Sequence, residues 1–458
     1  MKNQIFFIYT FLLIKIILSG VYKLKTIPVK KISLYRNNRL LDNKEEDDSF
    51  IEKVYGNSYS LYYYYATLYL GPNKIPQTYI LGTDSALTTS PCNKCESCEN
   101  HLNKPYEIDD SNIIKCPTKE CNSVQSHICR NNQCSFFTKY LEGSSLEGIF
   151  TMQEIYFEQI NKNPNITSKS YKIPIGCTTK ETNLFINQLA DGILGLNNNN
   201  KSFISLLYNN NIISKNIFSI CFGQDDGYFS IGEIDTTYHK SNIEYVPLIN
   251  NRHNRHNYYI NLTKIQIGDE IINNDYEVSL NSGTTLTSFP YSIYNSIINK
   301  FNIFCEKKEC GNFKNRTYFG YCGVFISNEE KEKAINEYWP NITLHFEEVK
   351  YVLTPTDYYF EFSDKYKSAC LGFDGENSNR ITFGSTFMHG HDIIFDRGNK
   401  RIGFAVADCN RGISINDNIN NTISNNGIHV DEKTYIEERY NKDSKNKIED
   451  NKDIEKKE

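Results

Sequence analysis

Beyond its N-terminus, the 458-residue sequence has no apolar run long enough to cross a membrane, so we expect no transmembrane helix in the mature chain. It also has no excess of positive charge, because 50 Lys and Arg residues oppose 55 Asp and Glu residues, giving a formal net charge of −5. That balance gives no indication of a nucleic-acid partner. The sequence does contain 39% hydrophobic and 13% aromatic residues, and its length is enough for two or three domains with substantial cores.

The N-terminus has the features of a secretory signal peptide. Lys2 precedes an apolar stretch, Ile5–Leu18, which Lys15 interrupts and which the small residues Ser19 and Gly20 follow. We therefore expect residues 1–20 to be a signal peptide. The alternative is an uncleaved anchor, which the shortness of the uninterrupted run Ile5–Ile14 disfavours.

Fourteen cysteines in a chain with a secretory signal predict a framework of seven intramolecular disulfides, formed in an oxidising compartment. The cysteines are Cys92, Cys95, Cys98, Cys116, Cys121, Cys129, Cys134, Cys177, Cys221, Cys305, Cys310, Cys322, Cys370 and Cys409. The C-x-x-C-x-x-C spacing of the first three also suits a zinc or iron–sulfur site. Acidic and amide neighbours and the secretory context favour oxidised cysteines, so we expect no metal and no cofactor. The pairing stays open at this point.

Short runs rich in Tyr, Ile, Phe, Val and Thr, separated by Gly, Asn, Asp and Pro, predict a mainly β architecture from about residue 58. Strands are expected at Tyr62–Leu70, Phe150–Glu158, Phe218–Phe222, Tyr228–Ile231, Ile243–Leu248, Tyr258–Ile267, Thr343–Phe346 and Ile393–Ala407. Helices are expected at Ser202–Asn209 and Tyr291–Phe304. Residues 21–57 carry no core signal and are predicted to be a pro-segment or disordered lead, and the Asn-, Lys- and Glu-rich residues 411–458 a disordered tail.

Two short motifs, 199 residues apart, follow apolar lead-ins. Gly82-Thr83-Asp84-Ser85 follows Tyr79-Ile80-Leu81, and Asn281-Ser282-Gly283-Thr284-Thr285 follows Val278-Ser279-Leu280. Each motif has a later companion, Asp191-Gly192-Ile193-Leu194-Gly195-Leu196 and Ile381-Thr382-Phe383-Gly384-Ser385. Over residues 58–409 this arrangement resembles the pepsin-like aspartic peptidases, whose motif is D-T/S-G. The positions of both catalytic carboxylates are substituted, by Gly82 and by Asn281.

Within that family the chain is most similar to the branch of plasmepsin V and the plant nepenthesin-type enzymes. The likeness rests on the cysteine-rich insert that begins at Ser90-Pro91-Cys92, on Gly176-Cys177 leading to Asn183-Leu184-Phe185, and on Tyr140-Leu141-Glu142-Gly143-Ser144. The resemblance implies a bilobal fold with a central cleft, an N-terminal lobe at 58–237 that carries the insert, and a C-terminal lobe at 238–410. It also implies that Tyr140 and Gly143 belong to a hairpin flap over the cleft.

The resemblance assigns roles to the remaining motif residues. Thr83, Ser85, Ser282, Gly283, Thr284 and Thr285 are expected to form a hydrogen-bonded support beneath the dyad positions. Asp84 stands where the family has Gly, so its side chain is expected to project away from the centre in a structural turn. Catalysis by a displaced Asp84 is the alternative.

The substitutions predict a secreted homologue without peptidase activity, because Asn can donate a hydrogen bond but cannot accept a proton, and Gly can do neither. We expect a monomer that binds a peptide or protein ligand in its cleft, in the secretory pathway: the ER lumen, the exterior or a vacuole. The alternatives are an active endopeptidase that uses Asp84 and a structural protein without a cleft function. Glycosylation sequons begin at Asn165, Asn200, Asn261, Asn315, Asn341 and Asn420.

Overall fold

The computed structural model describes residues 49–410 except 58–62, 99–100, 126, 141–142, 160–164, 167–168, 225, 250–255, 307, 309, 317–319 and 361–367. The predicted signal peptide, the predicted lead up to residue 48 and the predicted tail lie outside the described residues. In the described part, strands dominate and most helices are short, which confirms the predicted mainly β fold. None of these helices is long and apolar enough to cross a membrane.

The strands of the first half are β1 Phe50–Asn57, β2 Tyr63–Leu70, β3 Ile75–Gly82, β4 Thr89–Pro91, β5 His127–Arg130, β6 Gln133–Lys139, β7 Ser145–Tyr156, β8 Glu158–Gln159, β9 Asn165–Ile166, β10 Tyr171–Glu181, β11 Gly192–Gly195, β12 Ile217–Phe222 and β13 Asp226–Ile231. The strands of the second half are β14 Glu244–Pro247, β15 Tyr258–Ile267, β16 Glu270–Leu280, β17 Thr287–Pro290, β18 Asn312–Arg316, β19 Gly320–Val324, β20 Ile342–Phe346, β21 Val349–Leu353, β22 Tyr359–Phe360, β23 Ser368–Leu371, β24 Phe373–Glu376, β25 Ile381–Phe383, β26 His391–Asp396 and β27 Arg401–Val406. The helices are α1 Lys119–Asn122, α2 Leu184–Asn187, α3 Phe203–Asn209, α4 Tyr291–Cys305, α5 Asn328–Lys333, α6 Pro355–Tyr358 and α7 Ser385–Met388, and α5 continues into a π-helical turn, Ala334–Tyr338.

The largest sheet has the strand order β14-β27-β26-β12-β13-β1-β2-β3-β11-β4-β10-β7-β6-β5. Its strands β14, β26 and β27 come from the second half of the chain, so the sheet continues across the predicted lobe boundary at residue 237. A separate seven-stranded sheet has the order β21-β20-β15-β16-β25-β17-β24 and comes from the second half alone.

Strand β1 corrects the predicted boundary of the fold. Residues 50–57 were expected to belong to a disordered lead, but they pair antiparallel with β13 on one side and with β2 on the other. Phe50 and Val54 are fully buried in the main core. The fold therefore begins before residue 58.

The local sequence explains why these elements form. In β2 the side chains of Tyr64, Ala66, Leu68 and Leu70 are buried while their neighbours are more exposed, which is the period of two that a half-buried strand requires. In α4 the buried residues are Ile293, Tyr294, Ile297 and Phe301, which share one face of a helix.

A four-strand unit occurs twice in the fold. In the first half, β11 runs parallel to β3 and antiparallel to β4, and β4 runs parallel to β10. In the second half, β25 runs parallel to β16 and antiparallel to β17, and β17 runs parallel to β24. The strands β3 and β16 lead into the two sequence motifs, so the fold presents the motifs in equivalent positions.

Candidate active site

Each motif forms a tight turn at the end of a strand. In the first, the Ser85 amide donates to the carbonyl of Gly82 (3.3 Å), and in the second the Thr284 amide donates to the carbonyl of Asn281 (3.3 Å). The companion strands fix where these turns lie, because Gly82 pairs with Gly195 of β11 and Leu280 with Phe383 of β25.

The two turns are joined by reciprocal hydrogen bonds between Thr83 and Ser282. The amide of Thr83 donates to Oγ of Ser282 (3.1 Å), and the amide of Ser282 donates to Oγ1 of Thr83 (2.9 Å). Each hydroxyl then donates to the strand opposite, Thr83 to the carbonyl of Leu280 (3.0 Å) and Ser282 to that of Leu81. Both side chains are buried, so these bonds are shielded from competition with water.

The position of Asp84 differs from the sequence expectation. Its side chain does not project away from the centre, because Nδ2 of Asn281 donates a hydrogen bond to Oδ2 of Asp84 (3.0 Å). The reason is the close approach of the two turns: a Cβ atom added to Gly283 would lie 3.7 Å from Oδ1 of Asp84 and 3.8 Å from Cα of Gly82. A short side chain at position 84 therefore reaches Asn281, and a carboxylate there gains a charge-assisted hydrogen bond.

The amide of Asn281 is held in one orientation. Its Oδ1 accepts a hydrogen bond from the amide of Gly283 (2.9 Å) while its Nδ2 faces Asp84. The centre thus contains one carboxylate and one neutral amide from these residues. Gly82, at the other predicted dyad position, contributes no side chain, and a Cβ atom there would lie 3.3 Å from Cγ2 of Ile193.

Three further residues of the predicted support hold the motif turns in place. Oγ of Ser85 accepts from the amide of Leu87 (3.2 Å), which closes the first turn. The carbonyls of Thr284 and Thr285 accept from the amides of Ser385 (2.7 Å) and Thr386 (3.1 Å) at the start of α7. The second motif is therefore anchored to its companion segment through backbone groups.

The residues predicted to form a flap lie at a hairpin turn between β6 and β7. The amide of Tyr140 donates to the carbonyl of Ser144 (2.8 Å), and the amide of Gly143 donates to that of Tyr140 (3.0 Å). Gly143 has a φ of +97°, which only glycine adopts readily. The ring of Tyr140 meets Phe185 edge-to-face at 5.0 Å, within an apolar cluster that also contains Leu87 and Ile193. That cluster links the hairpin to the residues beside the centre.

Comparison with known proteins agrees with this geometry. The model of the eukaryotic aspartyl protease family matches residues 63–407, a span that includes both motifs and both companion segments. The chain belongs to the eukaryotic aspartyl protease family. This confirms the family that the motifs predicted.

Several members and one structural relative are similar along most of their length. Plasmepsin V of Plasmodium falciparum (isolate 3D7) is 24% identical over 448 residues, covering 79% of this chain and 74% of its own. Aspartic proteinase 36 of Arabidopsis thaliana is 26% identical over 376 residues, covering 75% and 73%. Conglutin gamma, a basic 7S globulin from lupine seeds, has a solved structure that matches with a TM-score of 0.62 at 16% identity, covering 79% of this chain and 95% of that one. The structural similarity to conglutin gamma shows that the two chains share a fold.

The disulfides confirm the predicted framework. All fourteen cysteines pair, as Cys92–Cys177, Cys95–Cys98, Cys116–Cys129, Cys121–Cys134, Cys221–Cys409, Cys305–Cys310 and Cys322–Cys370. The C-x-x-C-x-x-C run therefore offers no thiolate, which is the form of cysteine that binds zinc or an iron–sulfur cluster. Such a framework indicates an oxidising compartment.

The sequence placed Asp191 in the companion segment of the first motif but did not predict its buried hydrogen bonds. The carboxylate of Asp191 lies just before β11 and accepts hydrogen bonds from the backbone and hydroxyl of Thr78 (2.6 and 2.7 Å) and from the backbone and amide of Asn103 (2.9 and 2.8 Å). Burial raises the pKa of Asp191, and these hydrogen bonds partly oppose that shift. Asp191 thus ties Asn103, in the cysteine-rich insert, to Thr78 of β3, the strand that leads into the first motif.

Proposed function

We propose that this protein is a secreted, non-catalytic member of its family that holds a peptide or a segment of a protein partner in the family's cleft. The observation that carries the proposal is the composition of the centre. Gly82 supplies no carboxylate, and Asn281 supplies an amide that hydrogen-bonds Asp84.

The chemistry of the family explains why this composition opposes catalysis. An aspartic peptidase needs two carboxyl groups that share one proton, so that one activates a water molecule while the other protonates the substrate carbonyl. Each such proton transfer contributes roughly 10²–10⁴-fold to the rate. The amide of Asn281 cannot take or return a proton, so the reciprocal exchange is lost.

Two features of the structure support the proposed binding of a peptide. The Thr83–Ser282 bonds fix the floor, and the Tyr140 hairpin packs on the same apolar cluster as Leu87 beside the floor. A rigid floor and a hairpin packed on a neighbouring apolar cluster favour binding of an extended chain, because little entropy is lost on ordering the site.

A capture experiment tests the binding role. The disulfide-bonded protein is incubated with a random peptide library, and retained peptides are identified and titrated. We expect a defined subset to bind, and Tyr140→Ala to weaken that binding at least about tenfold, because aromatic side chains dominate binding energies at such sites. The matched control is Tyr208→Ala, since Tyr208 is 41% exposed on α3.

Two results would contradict the binding role. One is the absence of any enriched peptide, which is the outcome that a purely structural protein predicts. The other is equal weakening by Tyr140→Ala and Tyr208→Ala, which would show that the binding surface is not the flap side of the molecule.

One observation favours a second candidate, a slow peptidase that uses Asp84. Its carboxylate lies at the centre, 3.0 Å from Asn281, and not away from it. Asp84 could take a proton from water as the water attacks the peptide carbonyl, and then return that proton to the leaving amine, while the second N–H of Asn281 faces the carbonyl oxygen. In this case the wild type cleaves peptides slowly and Asp84→Ala abolishes the turnover.

The proposed setting of the protein follows from its disulfides and sequons. We propose a monomer in the secretory pathway, in the ER lumen, outside the cell or in a vacuole. Among the proposed glycosylation sites, Asn200 and Asn341 are exposed and Asn261 is half-buried. Asn420 lies outside the described residues.

A further inference from the structure

The cysteine-rich insert is fastened along the end of β10. The Cys92–Cys177 disulfide joins the start of the insert to β10, and the amide of Glu96 donates to the carbonyl of Thr179 (3.1 Å). Further on, Nε2 of His101 lies 2.9 Å from Oε2 of Glu181, the last residue of β10. Cys92, Glu96 and His101 of the insert therefore contact β10 at three successive places, the last of which is the His101–Glu181 pair.

The His101–Glu181 pair is buried. The side chains are 4% and 2% exposed, respectively, and Asp191 is the further carboxylate that acts on both of them. A buried ion pair is costly to break, because removal of one partner leaves the other charge without compensation. Removal of either side chain is therefore expected to loosen the end of β10.

The residues directly after Glu181 hold the flap turn. Glu181 itself pairs with Leu146 of β7. The amide of Thr182 donates to the carbonyl of Ser145 (3.1 Å), and the amide of Ser145 donates back to Oγ1 of Thr182 (2.8 Å).

Two further hydrogen bonds complete the contact between residues 182–184 and the flap turn, which we call the clamp. Nδ2 of Asn183 donates to the carbonyl of Gly143 (3.2 Å), and the amide of Leu184 donates to Oγ of Ser144 (3.2 Å). The segment 182–184 thus grips the flap turn at Gly143, Ser144 and Ser145. These three residues follow Glu181 directly, so a displacement of Glu181 also displaces their hydrogen bonds to the flap turn.

We propose that His101 is a positioning residue, which holds the flap turn in place by fixing Glu181 and, through it, the clamp at residues 182–184. In this proposal the cysteine-rich insert has a structural role, because it places His101 beside the end of β10 that precedes the clamp. The inference goes beyond the proposed binding role and does not require it.

Because both members of the pair titrate, the proposed hold on the flap turn depends on pH. Burial alone would lower the pKa of His101, but the hydrogen bond and charge of Glu181, with Asp191 beyond, hold that pKa above its ordinary value. Burial raises the pKa of Glu181, against the opposing hydrogen bond from His101.

These pKa shifts determine how the stabilisation by the His101–Glu181 pair changes with pH. A histidine whose pKa is raised by folding stabilises the fold below its ordinary pKa and loses that contribution as the pH rises through the raised value. Above that pH, Glu181 is left as a buried carboxylate without a cation. The clamp is therefore firmest at mildly acidic pH and weakens as the solution becomes alkaline.

Hydrogen exchange of the amides of Ser145 and Leu184 tests this without any ligand. Their protection factors are measured from pH 5 to 9, corrected for intrinsic exchange rates, with the amide of Ile220 in β12 as an internal reference. We expect wild-type protection of both amides to fall about tenfold or more across this range relative to Ile220. In His101→Gln, which keeps a hydrogen-bond donor but has no charge, protection should be lower at pH 5 and nearly independent of pH.

A second buried pair provides the matched control. Nε2 of His239 lies 2.8 Å from Oδ2 of Asp392, and the two side chains are 5% and 0% exposed. Asp392 belongs to β26, so this pair is bonded to a strand outside the flap hairpin. His239→Gln should leave the pH profile of Ser145 and Leu184 unchanged. The inference is overturned if His101→Gln keeps the wild-type profile, or if His239→Gln alters the flap amides as much as His101→Gln does.

Discussion

Thr83 and Ser282 form a junction that does not depend on the carboxylates of the family. Their reciprocal bonds use two backbone amides, two hydroxyls and two strand carbonyls, and they occur directly beneath the positions of Gly82 and Asn281. The substitutions at the centre therefore leave the junction of the two motifs intact. The proposed loss of the dyad is therefore compatible with retention of the fold.

The first prediction is that Thr83→Val destabilises the protein by roughly 2–6 kcal/mol. The variant keeps the shape of the side chain, but it leaves the buried amide of Ser282 and the carbonyl of Leu280 without their partner, and each unsatisfied group costs about 1–3 kcal/mol. Denaturant unfolding measures the change. The control is Thr67→Val at a half-exposed position of β2, where the effect should stay within about 0.5 kcal/mol. Equal effects at both positions would contradict the role of the junction.

The direction of the Asp84 side chain shows a limit of sequence reasoning at this scale. The motif placed Asp84 in a turn, and the turn is present. The partner of its side chain was set by the approach of a second turn 197 residues away, and the local sequence carries no information on that distance. Asn281 was the residue most easily identified, because its flanking sequence matches the family on both sides.

At the scale of elements, strands rich in apolar and aromatic residues could be predicted, whereas β1, which carries a buried charged residue, could not. Tyr258–Ile267 was placed residue for residue, and α4 within one residue of its end. Strand β1 was missed because Glu52 interrupts the apolar alternation of Phe50 and Val54, yet Glu52 is itself 1% exposed. A charged residue on the buried face made the strand look like solvated chain.

The second prediction concerns β1, which lies between β13 and β2 in the middle of the large sheet. A chain that begins at Asp47 keeps this strand, whereas one that begins at Ser58 loses Phe50, its stacking on Phe157 (3.9 Å) and a ladder on each side. We expect the first to unfold cooperatively and the second not to reach a cooperative folded state. Thermal unfolding followed by near-ultraviolet circular dichroism compares them. A native-like transition in the shorter chain would show that β1 is dispensable.

At the scale of the whole molecule, the last strands of the chain return to the first half. β26 pairs with β12, and the Cys221–Cys409 disulfide closes a loop of 188 residues beside that pairing. The end of the described chain is thus fixed to the sheet that carries the first motif. The paired motifs predicted two related halves, but not that one sheet would include strands from both.

The third prediction ranks the disulfides by the length of chain that they close. In the loop-entropy description, loss of Cys221–Cys409 costs about 5 kcal/mol, whereas loss of Cys95–Cys98, which spans 3 residues, costs about 2 kcal/mol. The pairs are removed by double Cys→Ala substitution and compared by denaturant unfolding. The reverse order would show that native-state contacts, and not loop closure, set the contribution of these bonds.

The most direct test of the central claim is the rate of peptide cleavage by the wild type from pH 3 to 8, compared with that of the triple variant Gly82→Asp, Asp84→Gly, Asn281→Asp. A Cβ atom added to Gly82 would lie 3.3 Å from Cγ2 of Ile193, so an aspartate at this position requires only a small shift of the Ile193 side chain. We expect no pepstatin-sensitive turnover by the wild type and measurable turnover by the variant, because two carboxylates act as one unit. Pepstatin-sensitive cleavage by the wild type that Asp84→Ala abolishes would contradict the claim, and would make Asp84 the catalytic carboxylate of a working peptidase.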